Sequence, residues 1–449
     1  MIQAAPPELP HLVFGLSPLW TAALILLGTY VVIATERINR AVVALLGAAL
    51  MIGLRVLTQE EAVAGVDFNT IALLLGMMVI VGIAQRSGMF EYVAIQAARA
   101  ARGSPAATLA WLAIATAVIS AFLDNVTTVL LIVPVTMALA GSLRVEPYPF
   151  LFAEVFASNI GGTATLIGDP PNILIGSATH LSFMDFVVNL TPVILVLLVV
   201  QTALIHLIWG RHLAATPEDR QRVMAMDARA AIKDVPLLRK SIAVIAAVVA
   251  SFVAAPHLHL EPGTIAMAGA TVLMFLDTRG QSSVDQARNV HAALSEAQWI
   301  TLLFFVGLFV IVAGVERVGL LDMVGRAISD ATGGSLAVLA SLVLWISAIL
   351  SAVIDNIPFG ATMIPVVHRL APSFGGPDAI LPVWWALSLG ACLGGNGTLI
   401  GASANLTVAG FAEQKGVPFS FWRFTKLGFP LMLITIVIAH GYLWLRYLR

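Results

Sequence analysis

Four carboxylates stand in stretches that are otherwise apolar: Asp124, Glu154, Asp169 and Asp355. An acid inside a bilayer is costly unless it is paired, protonated or hydrated, so such groups are natural proton carriers. Around them lie amides and hydroxyls suited to hydrogen-bonding a small solute: Asn125, Thr127, Asn159, Thr163, Thr165, Asn172, Asn356, Asn396, Thr398 and Asn405. Segments 120–135, 153–178, 351–366 and 386–410 hold no Lys, Arg or His. A di- or tricarboxylate bound there would need bound cations or helix N-termini. The set better suits a neutral polyhydroxy solute or a cation. All four are candidates for proton coupling; the role is expected of Asp169 or Glu154, while the symmetric pair Asp124 and Asp355 orders the tips. The plainer readings are helix capping for Asp124 and Asp355 and a membrane-edge position for Glu154. Cys392 is either a small packing residue or a ligand for a thiophilic solute. His257-x-His259 reads as a surface loop, and no metal site is expected. Trp20 and Trp384-Trp385 read as an aromatic belt.

These residues recur in two copies. Ser120-Ala121-Phe122-Leu123-Asp124-Asn125 matches Ser351-Ala352-Val353-Ile354-Asp355-Asn356 at an offset of 231. The same offset pairs Thr70, Gly76, Arg86 and Gly88 with Thr301, Gly307, Arg317 and Gly319. A second block, Gly161 to Gly168, matches Gly394 to Gly401 at an offset of 233, which carries Asn172 onto Asn405. In the second copy Asp169 and Glu154 become Ala402 and Leu387, which is why those two acids are assigned the coupling role. Glycines and prolines inside two apolar spans, with Gly-Asp-Pro-Pro at 168–171, predict helices broken near their middles. Backbone polar groups freed there must line a cavity or be buried in protein.

The elements that must position these groups follow from hydropathy. The chain has 449 residues, is 59% hydrophobic and only 11% charged, against roughly 25% charged in soluble domains. Mean hydropathy is +0.94. Net charge is −1 with a single cysteine, which excludes a soluble enzyme, a disordered chain, a nucleic-acid binder and a disulfide framework. The fold class is all-α: a polytopic membrane protein of about ten transmembrane helices. Spans are expected near 17–34, 40–57, 68–85, 150–178, 186–209, 240–256, 261–277, 298–315, 381–410 and 425–446. The stretches 105–141 and 335–370 read as re-entrant hairpins with an Asp-Asn tip each. Residues 1–210 form a first repeat (hairpin 105–141, broken helix 150–178), 211–240 a charged cytoplasmic linker, and 241–449 a second repeat (hairpin 335–370, broken helix 381–410). An odd number of spans between the tips inverts the copies, a signature of secondary transporters. Met1 to Leu16 lacks the basic region of a secretory signal, so the first run reads as a retained helix. With N- and C-termini outside, 18 of the 24 Lys and Arg fall inside, in keeping with the positive-inside rule.

At Ser158 to Asn172, Leu123 to Thr128 and Asp67 to Thr70 the sequence resembles the ArsB/NhaD permeases of the ion transporter superfamily, a group that includes the melanosomal P protein and bacterial arsenite permeases. The resemblance covers about 20–445. It implies alternating access by a core sliding against a scaffold, in a bacterial inner membrane. Related dicarboxylate carriers use Ser-Asn-Thr at their hairpin tips, whereas here the tips read Asp124-Asn125-Val126 and Asp355-Asn356-Ile357. The resemblance therefore points to arsenite or antimonite exported in exchange for protons, with no cofactor. The alternatives are a sodium/proton antiporter of the same fold and, below it, an anion or silicic-acid permease. An intramembrane aspartyl protease is disfavoured because Leu166-Ile167-Gly168-Asp169 lacks that class's first glycine, and inverted halves favour a carrier over a channel. Relatives are often dimers, so a homodimer is one expectation, and 211–240 is where a soluble ATPase partner would dock.

Overall fold

The computed structural model describes residues 15–35 and 37–449; Glu36 and the first fourteen residues, on which the reading of the N-terminus rests, lie outside it. The described chain is all helix. The first half holds α1 (Pro18–Ala34), α2 (Arg40–Gly53), α3 (Gln59–Ala64), α4 (Phe68–Gln85), α5 (Met89–Ala100), α6 (Pro105–Ser120), α7 (Asn125–Leu143), α8 (Tyr148–Gly162), α9 (Pro170–Thr179) and α10 (Phe183–Trp209). The connector carries α11 (Pro217–Met224). The second half holds α12 (Val235–Leu258), α13 (Pro262–Thr278), α14 (Ser283–Ser295), α15 (Trp299–Arg317), α16 (Leu320–Thr332), α17 (Leu336–Val353), α18 (Asn356–Leu370), α19 (Leu381–Gly394), α20 (Ser403–Gln414) and α21 (Phe421–Leu443). Among the described residues seven helices are long and apolar enough to cross a membrane. Two of the seven, α7 and α17, lie in the stretches expected to be re-entrant hairpins; five of the ten expected spans hold such a helix, and the others are short, such as α2, or broken in two.

Each expected span contains a helix, and 150–178 and 381–410 are each split, into α8 plus α9 and α19 plus α20. Hydropathy missed α3, α5, α14 and α16. These are short helices bearing charge on one face, and a long apolar window cannot register them. The connector is shorter than expected, since α12 begins at Val235 rather than beyond 240. It is also docked: Lys233 N donates to Ser87 O at 2.9 Å, and α11 packs on α5 and α7. Buried Asp219 on α11 accepts from Thr216 Oγ1 at 2.7 Å. That hydroxyl, with the guanidiniums of Arg144 and Arg222, holds its carboxyl below the usual range.

Residues paired by the offset share local geometry. Gly88 and Gly319 both enter their helices at positive φ, 81° and 77°, a conformation that glycine adopts without a Cβ penalty. Asp169 and Ala402 are both extended, at φ −141° and −148°. The copies nonetheless run in opposite directions between two cavities. The start of α4 (Asp67, Asn69) lines one cavity, whereas the start of α15 (Trp299, Thr301) lines the other. Likewise α7 runs from its tip along the cavity lined by Trp299 and Thr301, shown by Val126 and Leu130, while α18 runs from Asp355 at that cavity to Ile364 at the other.

Contacts cross between the halves. α4 packs on α13, and α15 packs on α2, with Gly76 against Ala266 and Gly307 against Ala44. A Cβ on either glycine would lie 2.5–2.6 Å from the facing backbone. Hairpin arms cross as well, α7 onto α20 and α18 onto α9. Within each half, α6 packs on α8 and α17 on α19, at a spacing only glycine permits. A Cβ on Gly161 would sit 2.2 Å from Ala117 O, and one on Gly394 would sit 2.5 Å from Ala348 O. Replacing Gly161 by Ala should therefore push α6 off α8 and lower stability by about 1–3 kcal/mol. Thermal unfolding of the purified chain checks this; Gly141, which has open space around its Cβ position, is the control and should tolerate Ala.

Candidate functional site

All residues of α8 and nearly all of α19 are buried, so both helices lie inside protein on every side. Trp384 and Trp385 are therefore not an aromatic belt: they are 3% and 2% exposed. Trp20 is exposed. Glu154 is enclosed by protein as well. It is fully buried, accepts a hydrogen bond from Thr136 Oγ1 and leaves Oε2 without a partner.

The breaks after α8 and α19 are closed by asparagines. Asn172 Nδ2 donates to Thr163 O and Thr165 O at 3.1 and 2.9 Å. Asn405 Nδ2 donates to Gly395 O and Thr398 O at 2.8 and 2.9 Å. Backbone carbonyls freed by the break are thus satisfied from within, as burial requires. Thr165 Oγ1 and Thr398 Oγ1 donate to Ala121 O and Ala352 O, tying each break to its hairpin tip. Thr163 Oγ1 donates back along its own helix to Asn159 O at 2.7 Å. The threonines' hydroxyl protons are committed to backbone, which removes them as donors to a solute.

The other asparagines join the halves. Asn125 Nδ2 donates to Asn159 Oδ1 at 2.9 Å. Asn159 Nδ2 donates across to Asn396 Oδ1 at 2.9 Å and Asn405 Oδ1 at 3.0 Å. In the mirrored position Cys392 points its thiol at Asn172 Oδ1, 3.6 Å away, an oxygen that also accepts from Ser388 Oγ at 2.5 Å. Asn356 Nδ2 donates to Asp169 Oδ1 at 2.9 Å, while Asp169 Oδ2 has no hydrogen-bond partner. Asn125, Asn159, Asn172, Asn356, Asn396, Asn405 and Asp169 are all buried. Four elements from two halves therefore meet: both hairpin tips and both breaks.

The tip carboxylates differ. Asp124 caps α7, accepting from Thr127 N at 2.9 Å and Thr127 Oγ1 at 2.5 Å. Asp355 accepts from Ile357 N at 3.1 Å and from Ser403 Oγ at 2.5 Å, and its Oδ2 is also ion-paired with Arg40 Nη1 at 3.1 Å. Arg40 is the site residue that sequence reading missed. It opens α2, far from the motif segments, and enters the sequence reading only among the 18 cations on the inner side. The site does hold a cation, so the premise of a cation-free site is corrected. The signal available was an arginine opening an apolar helix. Arg40, Thr301, Gln298, Asp355 and Ser403 line a cavity of about 780 Å³. A second cavity of about 460 Å³ on the opposite side is lined by Asp67, Asn69, His180, Glu261 and Glu316.

Polar groups buried at a seam between two antiparallel copies, with a cavity on either side, define a polytopic membrane transporter. A protein-family model described as citrate transporter, CitMHS, matches residues 30–390. The chain belongs to this family within the ion transporter superfamily, and not specifically to the arsenite permeases. An uncharacterized transporter of Mycobacterium tuberculosis is 44% identical, over 95% of this chain and 98% of its own length. The human P protein is 36% identical over 94% of this chain and 59% of its own length. Solved structures share the fold: the YdaH transporter of Alcanivorax borkumensis (TM-score 0.58, 16% identity, 95% of this chain and 98% of that one) and MtrF of Neisseria gonorrhoeae (0.61, 12%, 97% and 96%). Family and structural neighbours are transporters, not enzymes.

Proposed function

We propose that this chain is a proton-coupled secondary transporter that moves a small anionic solute between the two cavities by alternating access. The observation that carries the coupling is Asp169, a buried acid with one oxygen held by Asn356 and the other unpartnered, and with Ala402 in its place in the other half. A buried carboxylate whose one strong donor is an amide, with only the weak Cys392 thiol besides, is poorly compensated, which suits a group that takes and releases a proton during the cycle. Glu154 is a second buried acid of the same kind. Asn125, Asn159, Asn356 and Asn396 hold the tips and breaks in register around the solute.

Arg40 supports an anionic solute, in keeping with the family's description. A second reading, arsenite or antimonite exported as the neutral hydroxide against protons, is favoured by the Cys392 thiol beside Asp169 and Asn172. A sodium/proton antiporter is the third. In each the hairpins are re-entrant, the halves inverted in a bacterial inner membrane, and both termini outside. A soluble ATPase does not enter the reading, since an ion gradient supplies the driving force; a homodimer is compatible with it.

Proteoliposomes with an imposed pH gradient and an internal pH dye test it. Citrate should collapse the gradient saturably, with arsenite and Na+ inert. A response to arsenite alone would install the second reading, and a response to Na+ alone the third. No response to any of the three would reject proton coupling.

A further inference from the structure

One polar chain links the two hairpin tips through helices that belong to neither hairpin. Arg40 Nη1 reaches Asp355 Oδ2 and Ser403 Oγ, and Arg40 Nη2 donates to Thr301 Oγ1 at 3.3 Å. Thr301 Oγ1 donates to Gln298 Oε1 at 3.2 Å. Gln298 Nε2 donates to Thr127 Oγ1 at 3.2 Å, and Thr127 donates to Asp124. Arg40, Gln298 and Thr301 sit at the starts of α2 and α15, which pack on each other. Asp124 and Asp355 are the tips. The guanidinium also lies 5.2 Å from the centre of the Phe304 ring, which fixes its position. Arg40, Gln298, Thr301, Asp355 and Ser403 of this band border the larger cavity.

Asymmetry gives the band its meaning. Asp124 is held by neutral donors only, while Asp355 holds an arginine. A carboxylate on a guanidinium is the arrangement that an incoming anionic oxygen can replace, because the fork of donors fits both equally. Gln298 and Thr301 provide further polar groups in the same wall.

We propose that Arg40 is the specificity-determining cation of the solute site, and that Asp355 occupies it only while the site is empty. An anionic oxygen on the solute takes over the guanidinium, Asp355 is released, and the α18 tip with the start of α20 is freed from α2 and α15. Binding thereby unlatches the movable tip from the helices that hold it. This rests on the reading of the cavity as the site of an anionic solute.

The test uses the full chain in detergent, with citrate as probe and arsenite, neutral at pH 7, as the uncharged control. Arg40→Gln should abolish stabilisation by citrate in a thermal-shift titration. Asp355→Asn should tighten it by about tenfold, since it removes the internal competitor for the guanidinium. Asn caps a helix as well as Asp does, so this variant keeps the start of α18. In hydrogen exchange, citrate should speed the amides of 356–360 in the wild type, the opposite of ordinary ligand protection. Wild type binding citrate while Asp355→Asn binds it no better, or citrate slowing 356–360, would overturn the displacement alone. A wild type indifferent to citrate, phosphate and sulfate would reject both the anionic reading and this proposal.

Discussion

Asp169→Asn should reduce gradient-driven solute flux to that of protein-free liposomes while leaving the fold intact. Asn is nearly isosteric with Asp and has a carbonyl oxygen that can accept from Asn356 Nδ2, so the contact made by Asp169 Oδ1 at 2.9 Å is preserved. What is lost is a proton that can come and go. Exchange of solute across the membrane without a gradient should survive, because binding and sliding need no proton release in the neutral variant. Counterflow and net uptake, measured side by side at several pH values, separate the two. If net uptake persists at the wild-type rate across pH, Asp169 is not the coupling group. Glu154→Gln is then the next variant to measure, as Glu154 is another buried acid of the apolar helices with an oxygen that lacks a hydrogen-bond partner.

Asn159→Ala should produce the largest loss of stability in the site. Its side chain accepts from Asn125 and donates to Asn396 and Asn405. Truncation leaves three buried amide groups short of a partner, each costing about 1–3 kcal/mol. Two of those bonds cross between halves, so the loss falls where the repeats meet. Cys392→Ala is the internal control at the mirrored position. A thiol is a weak donor, and Asn172 Oδ1 keeps Ser388, so its unfolding midpoint should move little. Comparable midpoints for the two variants would show that Asn159 fills space and does not tie the halves together.

Much of this architecture is legible in the residues themselves. Apolar runs long enough to span fixed the main helices, since the bilayer demands that length. The predicted breaks lie where Gly161–Gly168 and Gly394–Gly401 interrupt apolar runs, because glycine and proline there forfeit the regular hydrogen-bond ladder. Pairing by a constant offset located the tips and breaks together. The capping of α7 by Asp124 and α18 by Asp355 was one of two readings open for those acids, and the observed bonds realise it. Hydropathy was blind where composition is mixed, as in α5 and α16, because their burial is one-sided.

Three features belong to the tertiary structure alone. α2 docks on α15 and α4 on α13, exchanges between halves that no local pattern encodes. Trp384, Trp385 and Glu154 are buried because other helices surround α8 and α19, and an apolar helix in lipid has the same sequence signature as one inside protein. Arg40 reaches Asp355 across 315 positions. Sequence determined where helices start, stop and break, because those are decided by groups within a few residues of one another. Which side chains share a cavity depends on how separate helices cross, and that is set by packing summed over the whole fold.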